Sequence, residues 1–85
     1  MITKTITVGI PAGPEARPIA MLVQVASQYE SSIYIEGEDR KVNAKSIMGM
    51  MALGLGEGEK VMVTANGEDE DKAMAAIEKY LKSES

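Results

Sequence analysis

The chain has no histidine and no cysteine among its 85 residues, and that decides which chemistry is left. No Ser-His-Asp or Cys-His pair, imidazole base, disulfide or thiolate metal site can be assembled. Carboxylates, lysines, tyrosines and hydroxyls remain, and among them one stretch stands apart: Lys45-Ser46-Ile47-Met48-Gly49-Met50-Met51-Ala52-Leu53-Gly54. Ser46 falls where a helix N-cap belongs. Ile47, Met48, Met50, Met51 and Leu53 follow it. A helix this short, stopped at Gly54, cannot turn all of them toward one core, because its buried face covers little more than a third of its circumference. One or two at least must face water, and methionine suits adaptable binding surfaces.

A modifiable hydroxyl beside an exposed apolar patch is the arrangement of a switchable docking site. The plain alternative for Ser46 is an N-cap contributing about 1 kcal/mol. A phosphate there would carry about −1.5 to −2 charges. Its interaction with the helix dipole, about 0.3–1 kcal/mol, is too small to change the fold. Charge-assisted bonds to a partner's basic residues, at about 1.5–3 kcal/mol each, are large enough to shift affinity a hundredfold. Such a modification acts on an interface.

Other charged or glycine-rich stretches carry less. Glu15 and Arg17 flank the start of the first helix, where they could bind an anionic group or form a surface ion pair worth about 0–1 kcal/mol. Glu68-Asp69-Glu70-Asp71 lacks the spacing of a calcium loop and reads as a helix start. Gly54-Leu55-Gly56-Glu57-Gly58 follows a helix and precedes a strand, the reverse of a phosphate-cradling loop. It reads as a helix stop and connector. No metal site and no cofactor is expected.

These groups need elements to hold them. Ile2 to Val8 predicts a strand with Ile2, Ile6 and Val8 on one face, interrupted by Lys4, and threonines on the other. Gly9-Ile10-Pro11-Ala12-Gly13-Pro14 is a loop. A helix runs from Glu15 or Ala16 to Tyr29, with Pro18 in its first turn and a core stripe of Ile19, Leu22, Val23 and Ala26. Ala20, Met21 and Gln24 lie off that stripe. Ser32 to Glu36 and Arg40 to Asn43 form a hairpin through Gly37-Glu38-Asp39. The Ser46 helix follows, then a strand over Lys60 to Ala65. The last helix spans Glu70 to Lys82, with Asp69 as N-cap, Ala73, Ile77 and Leu81 buried, and a Glu78–Lys82 pair at i, i+4. Ser83-Glu84-Ser85 should fray. The order β-α-β-β-α-β-α predicts an α+β fold: a four-stranded antiparallel sheet covered on one face by three helices, an open-faced sandwich.

The hydrophobic fraction of 45% fits a folded chain, and its length fits one domain over residues 1–85. Tyr29, Tyr34 and Tyr80 are its aromatic residues, so the core must be aliphatic. A net charge of −4 and a pI near 4.7 argue against direct contact with nucleic acid. No apolar run approaches a membrane span and no signal-peptide core is present, so a cytoplasmic location without membrane contact is expected.

Three stretches carry a resemblance. Ala16-Arg17-Pro18, Val23-Gln24-Val25-Ala26-Ser27 and Lys45-Ser46-Ile47-Met48-Gly49 closely resemble the HPr family of the bacterial sugar phosphotransferase system. The likeness extends over the whole chain. It implies that Ser46 is the target of the ATP-dependent HPr kinase/phosphorylase. Phosphocarrier members have a histidine immediately before Ala-Arg-Pro; this chain has Glu15 there. A carboxylate can form an acyl phosphate but lacks the imidazole's reversible phosphoryl chemistry.

The chain is therefore similar to the catabolite-repression subgroup, which lacks that histidine. Val42-Asn43-Ala44-Lys45-Ser46 fits this subgroup. The implied role is that of a phosphoprotein without catalytic residues, acting as corepressor of catabolite control protein A, a LacI-type regulator. DNA contact would then be indirect. Ile47, Met48 and Met51 would supply the apolar patch beside Lys45, extended by Ala20, Met21 and Gln24, with Arg17 framing the phosphate or a partner carboxylate. The alternative is a phosphocarrier variant, or an engineered phosphomimetic, with Glu15 at the phosphoryl-acceptor position. A Gly9–Pro14 hinge could let the first strand exchange between molecules, so monomer and strand-swapped homodimer both remain open.

Overall fold

The computed structural model describes residues 1–9, 17–37, 40–53 and 58–82, with the backbone alone at Arg17 and Pro18. Most of the Gly9–Pro14 hinge, Glu15, the Glu38-Asp39 turn, residues 54–57 and the C-terminal Ser83-Glu84-Ser85 lie outside the described residues. The elements are β1 (Ile2–Thr7), α1 (Arg17–Ser27), β2 (Ser32–Glu36), β3 (Lys41–Asn43), α2 (Ile47–Leu53), β4 (Lys60–Asn66) and α3 (Glu70–Leu81). Each expected strand and helix is present, and the ends that fall among the described residues differ from expectation by no more than a residue or two; the expected start of α1 at Glu15 or Ala16 lies outside them.

The four strands form one antiparallel sheet in the order β1-β4-β2-β3. Alternation decides what each face carries. Ile6, Ile33, Ile35, Val61, Val63 and Ala65 are buried and join Leu22, Ala26, Met50, Ala73, Met74, Ile77 and Leu81 in one cluster. The helices thus cover one face of the sheet. The other face is open: Thr3 and Thr5 on β1, Met62 on β4 and Tyr34 on β2 are exposed. The Lys41 ammonium lies 5.3 Å from the centre of the Tyr34 ring on that face, a cation–π approach.

Lys4 interrupts the buried side of β1, and its long stem explains how the strand tolerates it. Its ammonium reaches Glu78 of α3 at 3.1 Å, and Lys82 meets the other oxygen of the same carboxylate at 3.0 Å. The two lysines, Lys82 first, hold the Glu78 carboxyl below the usual glutamate range. Glu70 does the same for the chain start. The Met1 ammonium lies 2.9 Å from one of its oxygens and the Gly67 N–H 3.2 Å from the other. Both contacts, the ammonium first, lower its pKa. Burial pushes the Tyr80 phenol up.

One expectation needs correction. Asp69 stands at the N-cap position of α3, but its side chain makes no capping hydrogen bond. Instead its carboxylate accepts the backbone N–H groups of Glu30 and Ser31, each at 2.9 Å, and the Ser31 hydroxyl. The turn before β2 brings three donors to this one carboxylate, and the side chain is turned to them rather than to the N–H groups at the start of α3. Glu70, the first residue of α3, reaches back to accept the Gly67 N–H in the turn that leads into the helix.

Gly58 has φ +88°, a left-handed conformation that glycine adopts without steric cost. It lets the Gly58 N–H reach the Val8 carbonyl at 2.7 Å just before β4 begins.

Candidate partner-docking site

α2 is positioned by the chain before it. β3 ends at Asn43, whose side-chain oxygen accepts the Lys45 N–H at 2.8 Å, while its carbonyl accepts the Ser46 N–H at 3.0 Å. Asparagine often folds a turn this way, its short side chain imitating backbone. Ala44 is buried and its N–H donates to the Ile33 carbonyl at 2.8 Å, tying this turn to the sheet. The Lys45 ammonium donates to the Tyr29 carbonyl at 2.7 Å, just beyond the end of α1. The approach to α2 is thus fixed at four points.

Ser46 then caps the helix. Its hydroxyl accepts the Gly49 N–H at 3.2 Å, and its carbonyl accepts the first helical bond, from the Met50 N–H at 2.9 Å. Ser46 is exposed. A Cβ placed on Gly49 would stand 3.4 Å from the Ser46 hydroxyl, so glycine leaves that side of the oxygen open.

The seven residues of α2 bury one side chain completely, Met50, while Leu53 is partly buried against the core. Ile47, Met48 and Met51 face solvent, with Met48 at 81% exposure. Three and four positions apart, Met48–Met51 and Ile47–Met51 are neighbours on a helix surface, so these side chains make one patch. One turn of packing against the sheet leaves the rest of a short helix uncovered.

On α1, which packs against α2, Met21 and Gln24 are exposed and Ala20 is half-buried. Leu22 and Ala26 of the expected stripe are buried and Ile19 and Val23 partly so; Val25 and Tyr29 also pack against the core. Lys45, expected to meet a partner, is half-buried and its ammonium is committed to Tyr29. A partner would meet its stem or displace that bond. Arg17 begins α1, though its side chain, like all of Glu15, is outside the described residues.

The sequence did not single out Asn43, although an asparagine two residues ahead of Lys45 is the ordinary sign of such a turn. The Ser31–Asp69 contact had no local signal at all. Among the described residues no group of three or more acidic side chains is gathered to hold a metal ion, and no helix is long and apolar enough to cross a membrane.

These features define an open-faced α+β sandwich that presents a capped, exposed serine beside an apolar patch. Residues 2–83 match the protein family described as "PTS HPr component phosphorylation site". The HPr-like protein Crh of Halalkalibacterium halodurans is 42% identical over 84 residues, covering 99% of this chain and 100% of that protein. The crystal structure of HPr-C-His from Thermoanaerobacter tengcongensis superposes with a TM-score of 0.90 at 43% identity, covering 98% of this chain and 93% of that one. The crystal structure of Crh from Bacillus subtilis, an intertwined dimer with a swapped domain, gives a TM-score of 0.79 at 39% identity, covering 100% and 98%. The chain belongs to the HPr family. Its resemblance to Crh proteins makes it an HPr-family protein of the catabolite-repression type.

Proposed function

We propose that the chain is a single-domain, cytoplasmic regulatory protein of carbon catabolite repression. HPr kinase/phosphorylase transfers the γ-phosphoryl group of ATP to the Ser46 hydroxyl. The phosphorylated form then docks on catabolite control protein A as its corepressor. One observation carries this reading: Ser46 is exposed at the head of α2, and the exposed Ile47, Met48 and Met51 stand on the same short helix.

The arrangement divides the work between two kinds of contact. The apolar patch supplies area and is present all the time. The phosphate adds about −1.5 to −2 charges that a partner's arginines or lysines can grip. Two such bonds at about 1.5–3 kcal/mol each make the difference between weak and firm association. The chain's own charge of −4 suits docking on a DNA-binding protein better than contact with DNA itself.

Incubation with ATP and the kinase, followed by mass spectrometry, should place one phosphate on Ser46. Binding to the regulator should then depend on kinase and ATP and vanish in Ser46→Ala. Kinase-dependent binding by Ser46→Ala would sink the proposal. Label transferred to Glu15 by the sugar-transport phosphoryl donors would favour a phosphocarrier instead. No histidine is present to carry that step.

The Crh dimer also suggests how this chain self-associates. β1 is an edge strand held by its ladder with β4, by the packing of Ile6 into the core under α3, and by the ion pairs Met1–Glu70 and Lys4–Glu78. All of these could be remade with β1 of a second molecule. Light scattering across concentration, with a slow exchange between two species, is the expected signature.

A further inference from the structure

The seven methionines fall into two groups. Met50 and Met74 are buried, at 0% and 2% exposure. Met1, Met21, Met48, Met51 and Met62 are exposed. With no cysteine in the sequence, thioethers are the sulfur groups that a peroxide can meet. Met48 and Met51 stand within five residues of Ser46 on one short helix, one turn apart from each other.

We propose that Met48 and Met51 are a peroxide-sensitive modification site, and that their conversion to sulfoxides switches off docking without unfolding the chain. This rests on the docking reading above. In the reaction a sulfur lone pair attacks one oxygen of hydrogen peroxide. The S–O bond forms, the O–O bond breaks, and the departing hydroxide leaves as water once protonated. Sulfur is oxidised by two electrons and the peroxide is reduced by two. The product is polar and chiral where the thioether was apolar and flexible. A patch that associates by losing contact with water then carries two strong dipoles that a dry interface must desolvate.

The fold tolerates this for a geometric reason. The two methionines that pack the core, Met50 and Met74, are sealed from solvent, so limited oxidant spends itself on the outside. The site is also reversible, since sulfoxide reductases with a thiol reductant restore the thioether.

The test treats the intact chain with limiting hydrogen peroxide, maps sulfoxides by mass spectrometry, and measures two readouts. One is affinity of the Ser46-phosphorylated form for the regulator; the other is the rate of Ser46 phosphorylation by the kinase. Sulfoxide at Met48 and Met51 should precede any at Met50 or Met74, with the thermal midpoint unchanged. Affinity should fall by about tenfold or more, and the reductase should restore it. A Met48→Leu/Met51→Leu variant keeps the apolar volume, and peroxide should change its affinity, measured against its own untreated value, far less than it changes the parent's.

Two results would overturn the proposal: sulfoxides at both positions that alter neither readout, or an equal peroxide effect in the double-leucine variant. Failure of the unoxidised phosphoprotein to bind the regulator would instead count against the docking partner, and the kinase rate would then decide the oxidation claim alone.

Discussion

The Ser31 hydroxyl donates to the Asp69 carboxylate across 38 residues of sequence, joining the turn before β2 to the start of α3. Ser31 is buried, and the backbone N–H groups of Glu30 and Ser31 converge on the same carboxylate. Gly67 closes over the pair: a Cβ there would come within 2.5 Å of the Ser31 hydroxyl. Removing each part should destabilise the chain to a different extent. Ser31→Ala loses one bond from a buried site, about 1–2 kcal/mol. Asp69→Ala orphans three donors and should cost more. Gly67→Ala should cost about 1–3 kcal/mol by forcing the turns apart. Urea midpoints check the order, and the double variant Ser31→Ala/Asp69→Ala should be no worse than Asp69→Ala alone.

Acid should weaken the fold through three carboxylates. The Ser31 hydroxyl and then the Glu30 N–H lower the Asp69 pKa, and Glu70 and Glu78 are lowered by their ammonium partners. A carboxyl held below its unfolded value, about 4, contributes its full stability above that pH. It loses the contribution as pH falls through the lower folded value, because the unfolded chain takes up protons first. Urea midpoints should therefore be flat near neutrality and drop below about pH 4. Asp69→Asn should shallow that drop. An unchanged acid limb in Asp69→Asn, Glu70→Gln and Glu78→Gln together would contradict the assignment.

Ser46 and Gly49 separate stability from modification. Ser46→Ala loses the cap on α2 and should cost about 1 kcal/mol, whereas Ser46→Asp keeps an acceptor and should stay near the parent. Gly49→Ala should be neutral or stabilising by up to about 1 kcal/mol, since glycine is a poor helix former. The new methyl nevertheless takes space 3.4 Å from the hydroxyl. Kinase kcat/KM should fall while the thermal midpoint holds or rises, and unimpaired phosphorylation would show that the open side of the oxygen is not used.

Lys45 is the tie between the end of α1 and the start of α2. Lys45→Met keeps the stem and removes the donor, so the expected loss is about 1 kcal/mol. Hydrogen exchange should quicken at Gln28 and Tyr29, whose N–H groups close the last turn onto Val25 and Ala26. Exchange unchanged at those amides would mean the ammonium is free to serve a partner.

Much of this was legible because it is local. Alternation in Ile33-Tyr34-Ile35 and Val61-Met62-Val63 gave the faces of β2 and β4. The stripe of Leu22 and Ala26 gave the face of α1, and crowding around Ser46 implied that α2 must leave apolar side chains in water. The Asp69 cap was misjudged because helix-start statistics see only neighbours in the chain. Its true donors sit in a turn closed by another part of the molecule.

Periodicity, capping residues and the missing histidine thus determined the elements, the open-faced sandwich and the exclusion of imidazole chemistry. Tertiary structure decided which of five apolar residues after Ser46 is buried, which carbonyl the Lys45 ammonium takes, and where the Asp69 carboxylate finds its partners. The physical reason is range. Backbone preference and amphipathic spacing act over a few residues, whereas burial and hydrogen-bond competition are settled only when distant segments meet.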